Sequence, residues 1–285
     1  MSGTLFIVAT PIGNLEDLTP RARKTFAEVD LIAAEDTRHT GRLLFSIGLK
    51  ARLLALHDHN EEKTVSVVIE ALESGQSVAL VSDAGTPLVS DPGYRLVRAA
   101  HERSITVSPI PGPSALTAAL SVAGLPTDRF CFEGFLPSKS GSRRAVLERL
   151  RNESRTLIFY ESVHRIADAL HDLCDAFGDE RQAFIGRELT KLHEQCVQGS
   201  LRSLSDKVDD ETIVGKGEFA IVVGGADEPV ETSLDVDRLL AELSALLPAK
   251  NAARASAAIT GLKKNALYQR ILELKDDQGR TYRSI

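Results

Sequence analysis

VALVSDAGTPLVSDPGYRLVRAA, Val78 to Ala100, joins a short apolar run to a segment of helical spacing. The link is twelve residues, Ser82 to Gly93, that hold two aspartates, two glycines and two prolines. A four-residue Val/Leu-rich run bounded by turn residues reads as a buried strand, and Tyr94 to Ala100 as an amphipathic helix. Strand, loop, helix is the repeating unit of an α/β domain, in which ligands bind beyond the carboxyl ends of the strands. Gly85 permits a positive φ and a close approach to backbone. Pro87 and Pro92 stiffen the loop, and Asp83 supplies a fixed anionic acceptor.

The same unit recurs on either side. Leu5–Ala9, Leu31–Ala34, Leu53–Leu56 and Ile105–Val107 are expected strands, and Pro20–Val29 and Glu62–Glu73 expected helices, with Thr19 and Pro20 marking a helix start. Strand-end loops follow at Thr10-Pro11-Ile12-Gly13-Asn14, at Pro109-Ile110-Pro111-Gly112-Pro113-Ser114-Ala115, and, in a second series, at Glu161-Ser162. If the strands are neighbours, these loops converge on one pocket. The second series has strands at Phe130–Glu133, Thr156–Tyr160, Ala183–Gly186 and Phe219–Val223 and helices at Arg143–Arg151 and Arg165–Phe177. It reads as a second α/β unit of mixed strand direction, with a boundary near Ser121–Asp128. Gly224–Ser233 reads as a polar linker. Beyond it Leu234–Leu247, Asn251–Ile259 and Leu262–Leu274 read as helices, the last two joined at Thr260-Gly261 like a helix-turn-helix. The expected division is 1–121, 122–225 and 226–285.

Composition narrows the function. With 43% apolar and 26% charged residues in 285, the chain has the make-up of a soluble globular protein. No stretch approaches the ~20 apolar residues of a membrane span, and MSGTLFIVATPIGN reads as a first strand rather than a secretion signal. Cys131, Cys174 and Cys196 are odd in number and widely spaced, which argues for a reducing cytoplasm and against a disulfide framework or zinc knuckle. Net charge is −6, but residues 249–285 hold eight Lys or Arg against three carboxylates, a +5 tail on a −11 body. Lys250, Arg254, Lys263, Lys264 and Arg270 are therefore candidates to contact an anionic polymer; Lys275, Arg280 and Arg283 complete the set. Phosphate-cradling glycine motifs are absent, and the prolines of PIPGP remove backbone donors, so the pocket suits a nucleoside without phosphates. Gly112-Pro113-Ser114-Ala115-Leu116 lacks the final glycine of a nucleophile elbow. No His and carboxylate set has metal-ligand spacing, so no metal is expected.

Six motifs together closely resemble the bacterial ribosomal RNA small subunit methyltransferase I family, within the tetrapyrrole-methylase superfamily. They are VATPIGN (8–14), AEDTRHT (34–40), SDAGTPLVSDPG (82–93), PGPSA (111–115), YESVHR (160–165) and ELTKLHE (188–194). The resemblance runs from about Leu5 to Gly225, and the terminal helices also resemble the family's. It implies S-adenosylmethionine as cofactor, two α/β domains with the cofactor in the cleft between them, a homodimer, and 2′-O-methylation of a cytidine ribose in the decoding centre of 16S rRNA, on free RNA or the 30S subunit. Matched to the superfamily, the cofactor positions are Pro11, Ile12, Ser82, Asp83, Thr86, Ser114, Ala115, Glu161, Glu188 and Ala220. Gly13, Gly85 and Pro87 join them from the loop reading above. Ser82-Asp83-Ala84 stands where tetrapyrrole-specific relatives carry Gly-Asp-Pro, which argues against a porphyrin or corrin substrate. A noncatalytic RNA-binding assembly factor is the reading from a different class.

A ribose hydroxyl is a poor nucleophile, so a group must take its proton or stabilise the alkoxide. Glu35, Asp36, Glu188, Lys191 and Glu194 are the candidates, a carboxylate acting as base or the lysine by charge. Arg38 and Arg187 are candidates to hold RNA phosphates.

Overall fold

Short Val/Ile/Leu-rich runs alternating with amphipathic segments build two sheets in succession in the computed structural model, which describes residues 2–57, 60–226 and 236–281. The first half runs β1 (Thr4–Val8), α1 (Pro20–Glu28), β2 (Leu31–Ala34), α2 (Thr37–Ser46), β3 (Leu53–Ala55), α3 (Glu61–Glu73), β4 (Val78–Val81), α4 (Tyr94–Glu102), β5 (Thr106–Ile110) and α5 (Ala115–Val122). Its sheet is wholly parallel, in the order β3-β2-β4-β1-β5. Parallel strands buried on both faces explain the continuous apolar runs: every residue of β2 and β4 is buried. The order also makes β1 and β4 central neighbours, so the loops leaving their carboxyl ends share one crevice.

The second half runs β6 (Phe130–Phe135), α6 (Ser140–Leu150), β7 (Thr156–Ser162), α7 (Ile166–Phe177), β8 (Gln182–Arg187), β9 (Gln195–Ser200), α8 (Leu201–Asp209) and β10 (Glu218–Val223). The sheet order is β6-β7-β10-β8-β9; β6 and β7 are parallel and the other pairs antiparallel, the mixed direction expected. Its core centres on Leu157, Phe159 and Ile221, each at most 1% exposed, and burying side chains of this size contributes about 1.5–3 kcal/mol apiece. The helix α5 packs against β10, and Ile12 joins Ala119, Ile158, Phe184 and Ala220 in one apolar cluster. Residues 1–226 thus form one compact unit, and the chain beyond them a second.

Several boundaries differ from the sequence reading. Pro109 and Ile110 belong to β5, because a proline is tolerated on an edge strand whose outer N–H side has no partner. Glu161 and Ser162 are the last residues of β7 rather than a loop, since pairing with β10 continues to Ser162 opposite Glu218. The helices α2, α5 and α8 and the strand β9 add to the expected elements; α8 buries Leu201, Leu204 and Val208 at helical spacing, whereas α2 buries only Thr40 and Leu44.

In the second unit α9 (Val236–Leu246), α10 (Ala249–Thr260) and α11 (Lys264–Thr281) enclose Leu240, Ala252, Ala253, Leu267 and Ile271. Gly261, in the left-handed region at φ 72°, ends α10 and turns the chain into α11, as the helix-turn-helix reading expects. Most of the expected linker over Gly224–Ser233, Arg283, and the side chains of Lys275 and Arg280 lie outside the described residues. Among the described residues no helix is long and apolar enough to cross a membrane.

Candidate active site

Four loops of the parallel sheet are tied together by hydrogen bonds at its carboxyl edge. Thr10 and Gly85 exchange both backbone bonds, at 2.9 and 3.0 Å, joining the loops after β1 and β4. The Thr86 hydroxyl donates to the Pro113 carbonyl at 3.0 Å, adding the loop after β5. After β2, Asp36 N–H donates to Asp83 Oδ1 at 3.1 Å, and Asp83 N–H to Glu35 Oε2 at 3.3 Å. The convergence expected from strand adjacency is present, and Asp83 is its knot.

The mixed sheet supplies the facing wall from inside its strands. Glu161 on β7 is 1% exposed. Its Oε1 accepts from Ser162 N–H at 2.7 Å and meets the Arg165 guanidinium at 2.6 Å, whereas Oε2 is buried with no hydrogen-bond partner. A buried carboxylate oxygen left unsatisfied is costly, and in a cleft it marks a place for a donor from a ligand. After β8 the chain turns through Glu188 and Thr190, both at positive φ. The turn aims Lys191 Nζ at Glu188 Oε1 (2.8 Å) and at Glu218 Oε2 (3.0 Å). Glu188 Oε1 also accepts from Glu218 N–H at 2.9 Å.

Two glycines make this cluster possible. At Gly217, φ 98°, a Cβ would come within 2.5 Å of the Glu188 side chain, and at Gly13 within 2.2 Å of Lys191 Cγ. Gly13 belongs to the first wall and Lys191 to the second, so their contact sets the two against each other. Six non-glycine residues among those described have positive φ, and four of them, Leu88, Ser90, Glu188 and Thr190, lie in the two loops bordering the cleft. Strain of that kind concentrates where geometry matters to function.

Between the walls lies a cleft of about 620 Å3, within the range of small-ligand sites. Glu35, Asp83, Asp91, Glu161, Glu188 and Glu218 line it, with Lys191 the one lysine or arginine among the lining residues. Burial opposes the Lys191 charge, yet the hydrogen bonds it donates to Glu188 and Glu218 prevail and hold its pKa above the ordinary value. Burial likewise works against Glu188, but Lys191 and the Glu218 N–H keep that carboxyl below its usual range. The pair is therefore charged at neutral pH. Asp91 differs: burial, with Glu35 and Asp83 nearby, pushes it up to about 6 against a lowering hydrogen bond from Ser82. An acid-lined cleft favours a cation and repels a polyanion.

Of the expected cofactor positions, Ile12, Asp83, Gly85, Thr86, Ser114, Ala115, Glu161, Glu188 and Ala220 line the cleft. Pro11, Gly13, Ser82 and Pro87 do not; they shape it from behind, Ser82 at 3% exposure and Gly13 through Lys191. Among the catalytic candidates, Glu35, Glu188 and Lys191 reach the cleft, whereas Asp36 and Glu194 do not. Asp36 caps α2 and grips Arg38 through both carboxylate oxygens, which holds it well below the usual range. Glu194 accepts from Thr190 N–H at 2.6 Å and closes the turn that carries Lys191.

One RNA-contact assignment is corrected. Arg187 is 7% exposed, and its guanidinium donates to the carbonyls of Lys216 and His193 and to Gln195, so it organises this turn and has no face for a phosphate. Arg270 bridges Asp237 and Glu273, fastening α9 to α11, and stays exposed. Lys250, Arg254, Lys263 and Lys264 are exposed, as is Arg38. Sequence reasoning passed over Asp91, Tyr160, Gly217 and Glu218. The glycine pair in Gly215-Lys216-Gly217-Glu218 ahead of a strand was the available signal.

Comparison with known proteins places this geometry. The family described as Tetrapyrrole (Corrin/Porphyrin) Methylases matches residues 4–205, and the RsmI C-terminal HTH domain matches residues 230–275. A ribosomal RNA small subunit methyltransferase I from Xylella fastidiosa is 54% identical over 267 residues, covering 93% of this chain and 98% of its own. One from Escherichia coli O157:H7 is 52% identical over 273 residues, covering 95% of each. Among solved structures, the methyltransferase CobJ superposes with a TM-score of 0.58 at 20% identity, over 79% of this chain and 95% of its own. A uroporphyrin-III C-methyl transferase from Thermus thermophilus, complexed with S-adenyl homocysteine, gives 0.51 at 18% identity, over 78% and 97%. Those two likenesses bear on the fold, which is that of the tetrapyrrole methylases.

Proposed function

The chain belongs to the ribosomal RNA small subunit methyltransferase I family, and from that premise we propose that it methylates the 2′-hydroxyl of a cytidine ribose in the decoding centre of 16S rRNA. S-adenosylmethionine is the methyl donor, and the residues present fit it. Its sulfonium and ammonium suit a lining of six carboxylates around one lysine. The unpartnered Glu161 Oε2 lacks only a donor, which the ligand's ammonium or ribose hydroxyls offer. When bound, the cofactor supplies an electrophilic methyl group on a positively charged sulfur.

The observation that carries the acceptor chemistry is the Lys191, Glu188 and Glu218 cluster. Held protonated between two carboxylates, Lys191 is no base. It acts by charge on the ribose oxygen as that oxygen loses its proton, and Glu188 and Glu218 fix the ammonium in position. The proton's receiver is then one of the carboxylates that line the cleft, Glu35 or Glu188. Positioning supplies much of the remaining acceleration, because in-line displacement demands alignment of acceptor oxygen, methyl carbon and sulfur. The segments 1–121 and 122–225 serve as the two walls. The module over 226–285 offers Lys250, Arg254, Lys263 and Lys264 to the RNA backbone. A cytoplasmic homodimer acting on free RNA or on the 30S subunit completes the reading.

The test is transfer of label from labelled S-adenosylmethionine to 30S subunits from a strain lacking the enzyme, followed by mapping of the modified nucleotide. Label on one cytidine ribose is expected; label on a base or on ribosomal protein contradicts the acceptor.

A further inference from the structure

The acid-lined cleft cannot itself hold the RNA that brings the target ribose to it, so a cationic surface is needed at its mouth. Residues 37–56 hold Arg38, Arg42, Lys50 and Arg52 and no carboxylate, within a body that is otherwise acidic. The first half of this stretch is α2, which starts beside the cleft: Glu35 lines the cleft, and Asp36, the cap of α2, is bonded to Asp83. With Thr40 and Leu44 buried, Arg38, Arg42 and Phe45 are exposed, spaced i, i+4, i+7 on one face. That face runs about 10 Å along the helix.

Phe45 is 82% exposed, beyond what an apolar ring without a partner would favour. An exposed ring in line with arginines is the arrangement by which proteins stack an unpaired base while neutralising its neighbouring phosphates. The Arg38 to Asp36 pair does not withdraw Arg38, because a pair that open to water exchanges readily for a phosphate.

We propose that the outer face of α2 is the track for the single-stranded RNA flanking the target nucleotide, with Phe45 stacking on a base and Arg42 and Arg38 on phosphates. This rests on the reading of the protein as an RNA methyltransferase and adds the surface that delivers the substrate.

The test uses the full chain, with 30S subunits lacking the methyl group as substrate. Wild type, Phe45→Ala, Phe45→Leu, Phe45→Tyr and Arg42→Glu are compared for KM toward subunits, Kd for S-adenosylmethionine and sedimentation. Phe45→Ala and Phe45→Leu are expected to raise KM about tenfold, as loss of one stacked base does, while Phe45→Tyr stays within about twofold. Arg42→Glu should raise KM at least as much and flatten its salt dependence by about one unit of slope. Cofactor affinity should hold in all four. Unchanged KM in Phe45→Ala and Arg42→Glu, full activity of Phe45→Leu, or a KM loss that tracks a change in sedimentation would overturn the proposal, the last assigning this face to a second copy of the chain. If the variants behave as wild type while wild type labels subunits, only the track falls. If wild type labels no RNA, the functional reading falls with it.

Discussion

The two walls of the cleft reach the same crevice by different routes. The parallel sheet contributes loops that follow strand ends, stitched to one another through Thr10, Gly85, Thr86, Asp83 and Pro113. The mixed sheet contributes residues still in strands, Glu161 on β7 and Glu218 to Ala220 on β10, together with one strained turn after β8. The first wall is a set of acceptors fixed by backbone and suited to holding a cationic ligand. The second carries the Lys191, Glu188 and Glu218 cluster, whose charge is suited to the reacting oxygen. Asp83 and Lys191, one from each wall, should therefore separate binding from turnover.

The largest effect should come from the second wall. Lys191→Ala is expected to lower kcat by about 10²- to 10³-fold, the loss seen when one preorganised donor to an oxyanion is removed. Affinity for S-adenosylmethionine, read by calorimetry, should change little by comparison. A large loss of affinity with kcat retained would erase the distinction between the walls.

Asp83→Ala should do the reverse. Losing a charged acceptor that also anchors the Asp36 backbone should weaken cofactor binding by about 10- to 100-fold. An unchanged titration would remove Asp83 from the site.

A smaller effect sharpens the electrostatics of the first wall. With a pKa of about 6, Asp91 is mostly ionised at pH 7 and mostly protonated at pH 5. A cation bound nearby favours the ionised form, so cofactor affinity should rise as pH increases through 6, by up to about tenfold between pH 5 and 7. Folding stability should move the other way: the carboxyl is raised above its unfolded value, so its contribution is present below about 4 and lost as pH rises to about 6. Asp91→Asn should flatten both trends. Affinity that falls with rising pH would place the cation elsewhere.

The same division explains what the sequence disclosed. Parallel strands buried on both faces announce themselves as apolar runs, and their loops as clusters of proline, glycine and aspartate, so the first wall was legible almost residue by residue. Glu161 was found but misplaced as a loop residue, because antiparallel pairing that carries a polar residue inside a strand leaves no periodic trace. Arg187 read as a phosphate ligand because its charge is visible in sequence, whereas the carbonyls of Lys216 and His193 that consume its donors are brought to it by the fold alone. Asp36 and Glu194 misled for the same reason: a carboxylate's type is written in the chain, but its partner is not.

The most direct test of the shared crevice is a crystal structure of the full chain with S-adenosylhomocysteine. The nucleoside is expected between the Asp83 to Asp91 loop and the strand ends at Glu161 and Ala220, with one of its donors on Glu161 Oε2. A ligand bound outside those walls, or Glu161 Oε2 still without a partner beneath a bound nucleoside, would contradict the account.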